Sequence, residues 1–342
     1  MHPPITTRPI PLAIVTGFLG SGKTTLIKHL LTQPGLGGTL VIVNEFGEVG
    51  IDHVLLEASS DDTILLANGC LCCTIRGNLV DTLIDVLKQR EEGRIGAFDR
   101  VVVETSGVAD PAPLLAFLLS EEKVTARYRL DTLVTTCDLV NGEATLERQA
   151  EARSQLRLAD RILFTKRDLV DADRLAQMTA LVRGLNPTAE MIALAHGEAD
   201  PALILEPSTR DRPVMASADS ACGSHHGHEH PHDHHPYADS DHTRRFMHST
   251  FTPNAPLTSA QIAKLIAALR EHASPVLLRI KGVLPVEYDP RPLIVQGALM
   301  VVHDPYFLAR EGAVGRLVVI SEGPLPEDLA TDLMGLGLAP GA

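Results

Sequence analysis

An apolar run, LAIV at residues 12–15, leads into GFLGSGKTT at residues 17–25, and this runs directly into LIKHLL, whose apolar residues recur at helical spacing. A buried strand, a glycine-rich turn and a helix in that order leave the chain few folds to adopt. Gly17, Gly20 and Gly22 let the backbone curl tightly with its N–H groups pointing inward, and the helix that follows adds the positive end of its dipole. Such a turn cradles phosphate. Lys23 is expected to reach the β- and γ-phosphates of a nucleoside triphosphate and Thr24 to place its hydroxyl on Mg²⁺, with Gly20, Ser21, Gly22 and Thr25 completing the contact.

Beyond this turn, short apolar segments alternate with amphipathic ones for some two hundred residues, which predicts a mostly parallel sheet flanked by helices. Strands are expected at LAIVT, TLVIVN ending at Asn44, TILLA near Ile64, RVVVE ending at Glu104, TLVTTCD ending at Asp138, RILFT ending at Thr165 and MIALA ending at Ala195. The polar motifs GSGKTT, NEFGE, GCLCC, ETSG and TKRD all fall at carboxyl ends of these strands, the edge where such sheets bind ligands. The pattern breaks after about residue 207. Residues 222–235, CGSHHGHEHPHDHH, hold seven of the chain's 15 histidines without apolar periodicity and read as a linker. The expected organisation is an α/β P-loop domain over residues 1–207, a histidine-rich linker over 208–243 and a smaller α+β domain over 244–342. In the last, RFMHSTF, SAQIAKLIAALREH, VLLRIKGVL, PLIVQGALMVVH, RLVVIS and a helix from about Pro326 are the expected elements.

A net charge of −13 argues against nucleic acid or an anionic membrane as a partner, and with aromatic residues at 4% and no Trp there is little to stack bases. No run of eighteen apolar residues occurs and the N-terminal residues lack a signal-peptide core, so a cytoplasmic location is expected. Five cysteines, three of them crowded into CLCC, make a poor disulfide framework and a better ligand set.

TKRD places Thr165, Lys166 and Asp168 close to the NKxD pattern by which P-loop GTPases read guanine. An Asp carboxylate accepts from guanine N1–H and its exocyclic amine, whereas adenine offers an acceptor at N1, so a mismatch there costs about 1–3 kcal/mol or more. Thr165 stands where Asn is usual, and a plain surface turn remains the competing reading. Glu104 ends a very apolar strand where an acid would hold Mg²⁺ directly or through water, and Gly107 would admit the backbone close to the γ-phosphate. NEFGEVGID offers Glu45 and Glu48 in a loop suited to sensing the third phosphate, and spacing does not decide which of the two meets the magnesium.

Cys70, Cys72 and Cys73 supply thiolates for a zinc-like or softer ion. A second CxxC that would close a structural site is absent, and three ligands with an open fourth position suit an ion that must be released. Glu48, a histidine, water or the nucleotide would complete it, while a redox thiol cluster and inert buried cysteines stay open as alternatives. Cys137 is expected in the core. The imidazoles of His225, His226, His228, His230, His232, His234 and His235 form a second, geometry-free capture site that should fail below about pH 6.

Taken together, GFLGSGKTT, NEFGEVGID, GCLCC, ETSGVADP, ADRILFTKRD and LLRIKGVL resemble the CobW-like family of P-loop GTPases over nearly the whole chain. The resemblance implies a GTPase domain, a histidine-rich connector and a CobW C-terminal domain, with a metallochaperone role and Zn²⁺ or Co²⁺ as cargo. By position it assigns phosphate and Mg²⁺ to Lys23 and Thr24, the base to Thr165, Lys166 and Asp168, the cargo metal to Cys70, Cys72 and Cys73, and a further guanine contact to the loop at His196. The expected activity is slow GTP hydrolysis to GDP and phosphate, coupled to metal handling and to delivery to a client metalloprotein or cofactor pathway. A passive histidine-rich storage protein with a structural nucleotide, a cobalt-handling protein of cobalamin biosynthesis and a small-molecule kinase are the alternatives.

Overall fold

The computed structural model describes residues 9–33, 36–43, 64–67, 75–206, 246–274, 276–298, 301–308 and 315–341. Strands and helices alternate through the first part as β1 (Ile10–Gly17), α1 (Lys23–Leu31), β2 (Thr39–Val43), β3 (Ile64–Ala67), α2 (Ile75–Glu91), β4 (Arg100–Glu104), α3 (Pro111–Ser120) and the single turn α4 (Glu122–Thr125). They continue as β5 (Tyr128–Asp138), α5 (Gly142–Arg148), α6 (Ala150–Leu158), β6 (Arg161–Thr165), α7 (Ala172–Leu185), β7 (Glu190–Ala193) and the single turn α8 (Ala202–Leu205). These strands pair in parallel in the order β3-β2-β4-β1-β5-β6-β7. β7 stops at Ala193, two residues before the expected end.

Parallel strands covered on both faces are buried along their whole length, as β2 and β5 are, and β5 takes its polar residues into buried contacts. Successive side chains then feed opposite layers. Leu12, Ile14, Leu40, Ile42, Val101 and Val103 pack against α2 and α3. Ala13, Val15, Val41 and Val102 pack against Leu26, Ile27 and Leu30 of α1 on the other face. The loop that ends β1 therefore emerges at the middle of the sheet, between neighbours β4 and β5.

The C-terminal domain is a smaller α+β unit made of β8 (Phe246–Pro253), α9 (Ser259–Glu271), β9 (Leu277–Val286), β10 (Asp289–Ala298), β11 (Val301–Val302), β12 (Tyr306–Phe307), β13 (Arg316–Glu322), α10 (Glu327–Gly335) and β14 (Leu338–Pro340). Its sheet is antiparallel, ordered β11-β10-β9-β13-β8-β14, with β12 also on β10. A capping box between Thr258 and Gln261 starts α9. The run PLIVQGALMVVH, expected as one strand, instead divides into β10 and β11, paired antiparallel with Ala298 opposite Val301. Only Gln296 and Gly297 interrupt the apolar run, and a glycine inside a strand pattern does not by itself divide it.

One face of this second sheet carries α9 and α10, with Leu265, Leu269, Leu329 and Leu333 on Ile280, Leu284, Val295 and Val319. From the other face Leu278, Ala298 and Ile320 join the core that contains Leu114 and Leu118 of α3. Polar contacts bind the sheets at the amino ends of β5 and β6. Arg279, 2% exposed, reaches Asp160 at 2.7 Å, and Lys281 lies 3.5 Å from the same carboxylate. Gln296 donates to the Asp131 carbonyl at 3.1 Å, Tyr306 donates to the Asp131 carboxylate at 2.7 Å, and the Arg129 guanidinium stacks 4.1 Å above the Tyr306 ring.

Candidate functional site

Where β1 ends, Gly17, Gly20 and Gly22 all take positive φ, at 141°, 72° and 93°. A Cβ on Gly17 would sit 2.2 Å from the Thr136 hydroxyl, so no other residue fits there. Lys23, the first residue of α1, folds back to donate to the Gly17 carbonyl at 2.8 Å and the Phe18 carbonyl at 3.4 Å. A layer of hydroxyls lies beneath the loop. Ser21 Oγ meets Thr136 Oγ1 at 2.6 Å, and Thr165 Oγ1 donates to the Ser21 carbonyl at 2.8 Å. Thr105 Oγ1 donates to Thr16 Oγ1 at 2.9 Å. Ser21 therefore spends its hydroxyl on Thr136, which leaves its backbone as the group it would offer to phosphate.

Beside this loop, β4 delivers Glu104 so that Thr24 Oγ1 donates to Glu104 Oε1 at 3.0 Å. Adjacent ligands of an octahedral Mg²⁺ at about 2.1 Å lie about 3 Å from each other, so this pair of hard oxygen donors fits magnesium without rearrangement. Gly107 follows, and a Cβ there would meet Leu19 Cδ2 at 2.7 Å and the Leu19 nitrogen at 2.8 Å. Only glycine lets the two loops approach this closely. Gln155, buried on α6, donates to the carbonyls of Gly107 at 3.1 Å and Ala109 at 2.9 Å. Asp110 caps α3 through the Ala112 amide at 3.0 Å and accepts from Ser154 at 2.7 Å.

At the end of β6, Lys166 adopts φ 59° and reaches the Asp138 carboxylate at 2.7 Å. Burial would raise the Asp138 carboxyl, but the hydrogen bonds from Lys166, the Val140 amide and Asn141 outweigh it and hold the group below the usual carboxylate range. Asp168 accepts from the His196 amide at 3.0 Å, which keeps its carboxyl low as well. His196 is itself at φ 52°, and next to it a Cβ on Gly197 would meet the Thr25 methyl at 2.9 Å. These contacts tie Asp168 to the turn at His196 and Gly197, and that turn to Thr25 of α1. Sequence reading passed over Asp138 and Gln155. Asp138 had a signal, since TTCD ends a strand at the same edge as the other motifs, whereas a glutamine in a polar helical stretch had none.

Glu45, Glu48, Cys70, Cys72, Cys73, His225, His226, His228, His230, His232, His234 and His235 lie outside the described residues. The strands that precede NEFGE and GCLCC are described. β2 ends at Val43 opposite Glu104 of β4, and β3 ends at Ala67 opposite Val43. Among the described residues no group of three or more His, Cys, Asp and Glu is placed to hold a metal, and Cys137 is a buried free thiol whose pKa burial pushes up to about 12. No described helix is long and apolar enough to cross a membrane.

Comparison with known proteins agrees with this geometry. The family model described as CobW/HypB/UreG, nucleotide-binding domain, matches residues 11–193, and that of the cobalamin synthesis protein cobW C-terminal domain matches residues 246–336. The zinc chaperone CobW of a Sinorhizobium species is 30% identical over 84% of each chain. The zinc chaperone YjiA of Escherichia coli is 38% identical over 57% of this chain, and the zinc-regulated GTPase metalloprotein activator 1 of Schizosaccharomyces pombe is 30% identical over 57%. The match spans 61% of the former and 48% of the latter. A crystal structure of Zn(II)-bound YjiA GTPase from E. coli superposes with a TM-score of 0.58 and 25% identity, covering 96% of this chain and 99% of that one. With both family models in their expected order and a relative matched along most of its length, the chain belongs to the CobW/HypB/UreG family, in the branch that carries a CobW C-terminal domain.

Proposed function

We propose that the protein is a slow GTPase metallochaperone that holds a transition metal, Zn²⁺ first and Co²⁺ second, on Cys70, Cys72 and Cys73 and releases it to a client according to the bound nucleotide. One observation carries the reading. Val43 ends level with Glu104 on the neighbouring strand and Ala67 ends level with Val43 one strand further out, so the strands that precede NEFGE and GCLCC finish at the same sheet edge as the Thr24–Glu104 pair. In this reading a change in the third phosphate is passed along that edge to the thiolates. The relatives, zinc chaperones and a zinc-regulated GTPase metalloprotein activator, support the same cargo.

In this reading the backbone of residues 17–22 and Lys23 bind the phosphates, Thr24 and Glu104 hold Mg²⁺ with Glu45 or Glu48 nearby, and Gly107 brings its N–H to the γ-phosphate. Mg²⁺, when bound, would neutralise charge on the β- and γ-oxygens. Asp168, aligned by the His196 amide, reads the guanine edge and Lys166 flanks the ring. Competition of Zn²⁺ and Co²⁺ against a chromophoric chelator, in Mg²⁺-GTP and in Mg²⁺-GDP, tests the whole. Tighter metal binding with GTP that disappears in the Cys72→Ser, Cys73→Ser double variant is expected. Equal affinity in both nucleotides refutes the coupling. Loss of metal binding on deleting residues 223–235, with the thiols intact, would instead favour passive storage.

A further inference from the structure

Helix α6 is gripped by buried polar groups toward two different parts of the molecule. On one side Gln155 gives both amide protons to the carbonyls of Gly107 and Ala109, and Ser154 donates to Asp110, so three hydrogen bonds from two adjacent residues fix the loop that follows Glu104. Gln155 is 1% exposed, and its Oε1 has no hydrogen-bond partner among the described residues. A leucine would fill that volume without burying an unpartnered Oε1, but it would take the donors away from the Gly107 and Ala109 carbonyls, so the glutamine serves the loop rather than the packing. On the other side, Asp160 stands two residues past the end of α6 and receives Arg279 and Lys281 from β9 of the second sheet. Asn186 caps the same helix end by donating to the carbonyls of Leu156 and Ala159. The helix on the far side of the loop, α3, packs its Leu114 and Leu118 with Leu278, Ala298 and Ile320 of the second sheet.

We propose that α6 couples the phosphate-facing loop to the docking of the C-terminal domain, with Gln155 as the positioning residue toward the loop and the Asp160–Arg279 pair toward the second sheet. This rests on the reading that the P-loop binds GTP. A loop drawn toward a third phosphate pulls on Gln155, and the helix that carries Gln155 cannot shift without altering how Asp160 meets Arg279. The coupling is reciprocal, so whatever grips the C-terminal domain, a client included, alters the preference for GTP over GDP. The loop contacts of Ser154 and Gln155 lie in the middle of the nine-residue helix and Asp160 just past its C-terminal end, which makes the route short.

The test uses the full chain and reads the ratio of GTP to GDP affinity with fluorescent nucleotide analogues, together with single-turnover hydrolysis. Gln155→Met is expected to keep GDP affinity within about twofold while lowering the GTP preference at least about fivefold. Arg279→Lys, which keeps the charge but removes the fork, should lower the ratio in the same direction. The double variant should be no worse than the more affected single one, as for two points on one element. An unchanged ratio in Gln155→Met, or independent multiplicative losses in the double variant, overturns the proposal. Equal affinity of the wild type for GTP and GDP also overturns it while leaving nucleotide binding intact, whereas failure of the wild type to bind GTP refutes the underlying reading instead. Should Gln155→Met not fold, Ser154→Ala removes one of the three loop bonds and is expected to lower the ratio by a smaller factor, and no change there counts against the proposal.

Discussion

The two edges of the parallel sheet are both rich in charge, yet they handle it in opposite ways. At the carboxyl edge, Thr24 pairs with Glu104, Lys166 with Asp138 and Asp168 with the His196 amide, and the large aliphatics Leu19, Val108, Val140 and Leu169 stay exposed around them. At the amino edge, Asp131, Asp160, Arg161 and Glu190 are buried and paired, with partners drawn partly from the second sheet. Charge removed from water must be matched on the spot, because an unmatched buried ion is far costlier than an exposed one. Groups meant for a soluble ligand keep partners that the ligand can displace. The same strands therefore end in a binding edge and begin in a welded one.

Breaking one ion pair at each edge gives the largest contrast. Asp160→Asn leaves Arg279 and Lys281 buried beside a neutral group and is expected to cost about 3–5 kcal/mol of stability, read as a lower midpoint in urea. Asp138 is itself buried, but its partner Lys166 is 33% exposed and can turn to water once the charge is gone, so Asp138→Asn should cost less, about 1–2 kcal/mol. Similar losses at both edges would remove the distinction.

Acid should sharpen it further. His248, whose Nδ1 lies 3.3 Å from Thr188, and His303 are both held neutral to about pH 4, chiefly by burial and secondarily by Arg157 for the first and by Arg279 and Arg129 for the second. Their folded pKa values lie below the unfolded value near 6.5, so as pH falls through 6.5 the unfolded chain takes up protons first and stability declines until about pH 4. The loss at pH 5 is about 2 kcal/mol per histidine. Denaturation midpoints followed from pH 7.5 to 5 should fall in the wild type and flatten in a His248→Gln, His303→Gln variant. A curve unchanged by that double substitution would mean that the acid sensitivity lies elsewhere.

The two edges also differ in how plainly the sequence announces them. The carboxyl edge was readable because each strand, such as RVVVE, is an apolar run closed by a polar motif, and a sheet buried on both faces permits no other reading of such runs. Glycines with positive φ and the Lys23–Thr24 pair followed from chemistry that tolerates few substitutes. The amino edge was silent. Asp160 and Arg279 are 119 residues apart in sequence and look like surface charges until the second sheet folds back. Gln155 is hidden for a related reason, since a polar residue in the stretch RQAEARSQLRLAD reads as solvated until Gly107 and Ala109 are found against it. Asp138 lay between, a strand-end carboxylate with no spacing rule to single it out.

At the carboxyl edge, base recognition offers a sharper cut than stability. Asp168 is exposed and its carboxylate already accepts the His196 amide, so Asp168→Asn should leave folding intact while weakening GTP by about 1–3 kcal/mol and improving XTP, whose O2 would accept from the new amide. Competition of GTP, ITP and XTP for a fluorescent analogue reads this directly. If the order of the three nucleotides stays as in the wild type, the base is read by another group.

The smallest effect is the most discriminating, because Thr165 belongs to both halves of the site. Its hydroxyl proton goes to the Ser21 carbonyl in the glycine-rich loop at 2.8 Å, so it has none left for a base, although it stands next to Lys166 of the turn proposed to read the base. Thr165→Val keeps the shape and leaves the Ser21 carbonyl without that donor, a loss of about 1 kcal/mol that should weaken GTP and GDP alike by about fivefold. Thr165→Ser keeps the donor and should restore most of it. A role in reading the base would instead lower the preference for GTP over ITP, and a role in packing alone would leave the serine variant as weak as the valine one. Equal weakening of all guanine and inosine nucleotides, rescued by serine, would mean that this strand end serves the phosphate loop, and that base reading rests on Asp168 and the His196 loop.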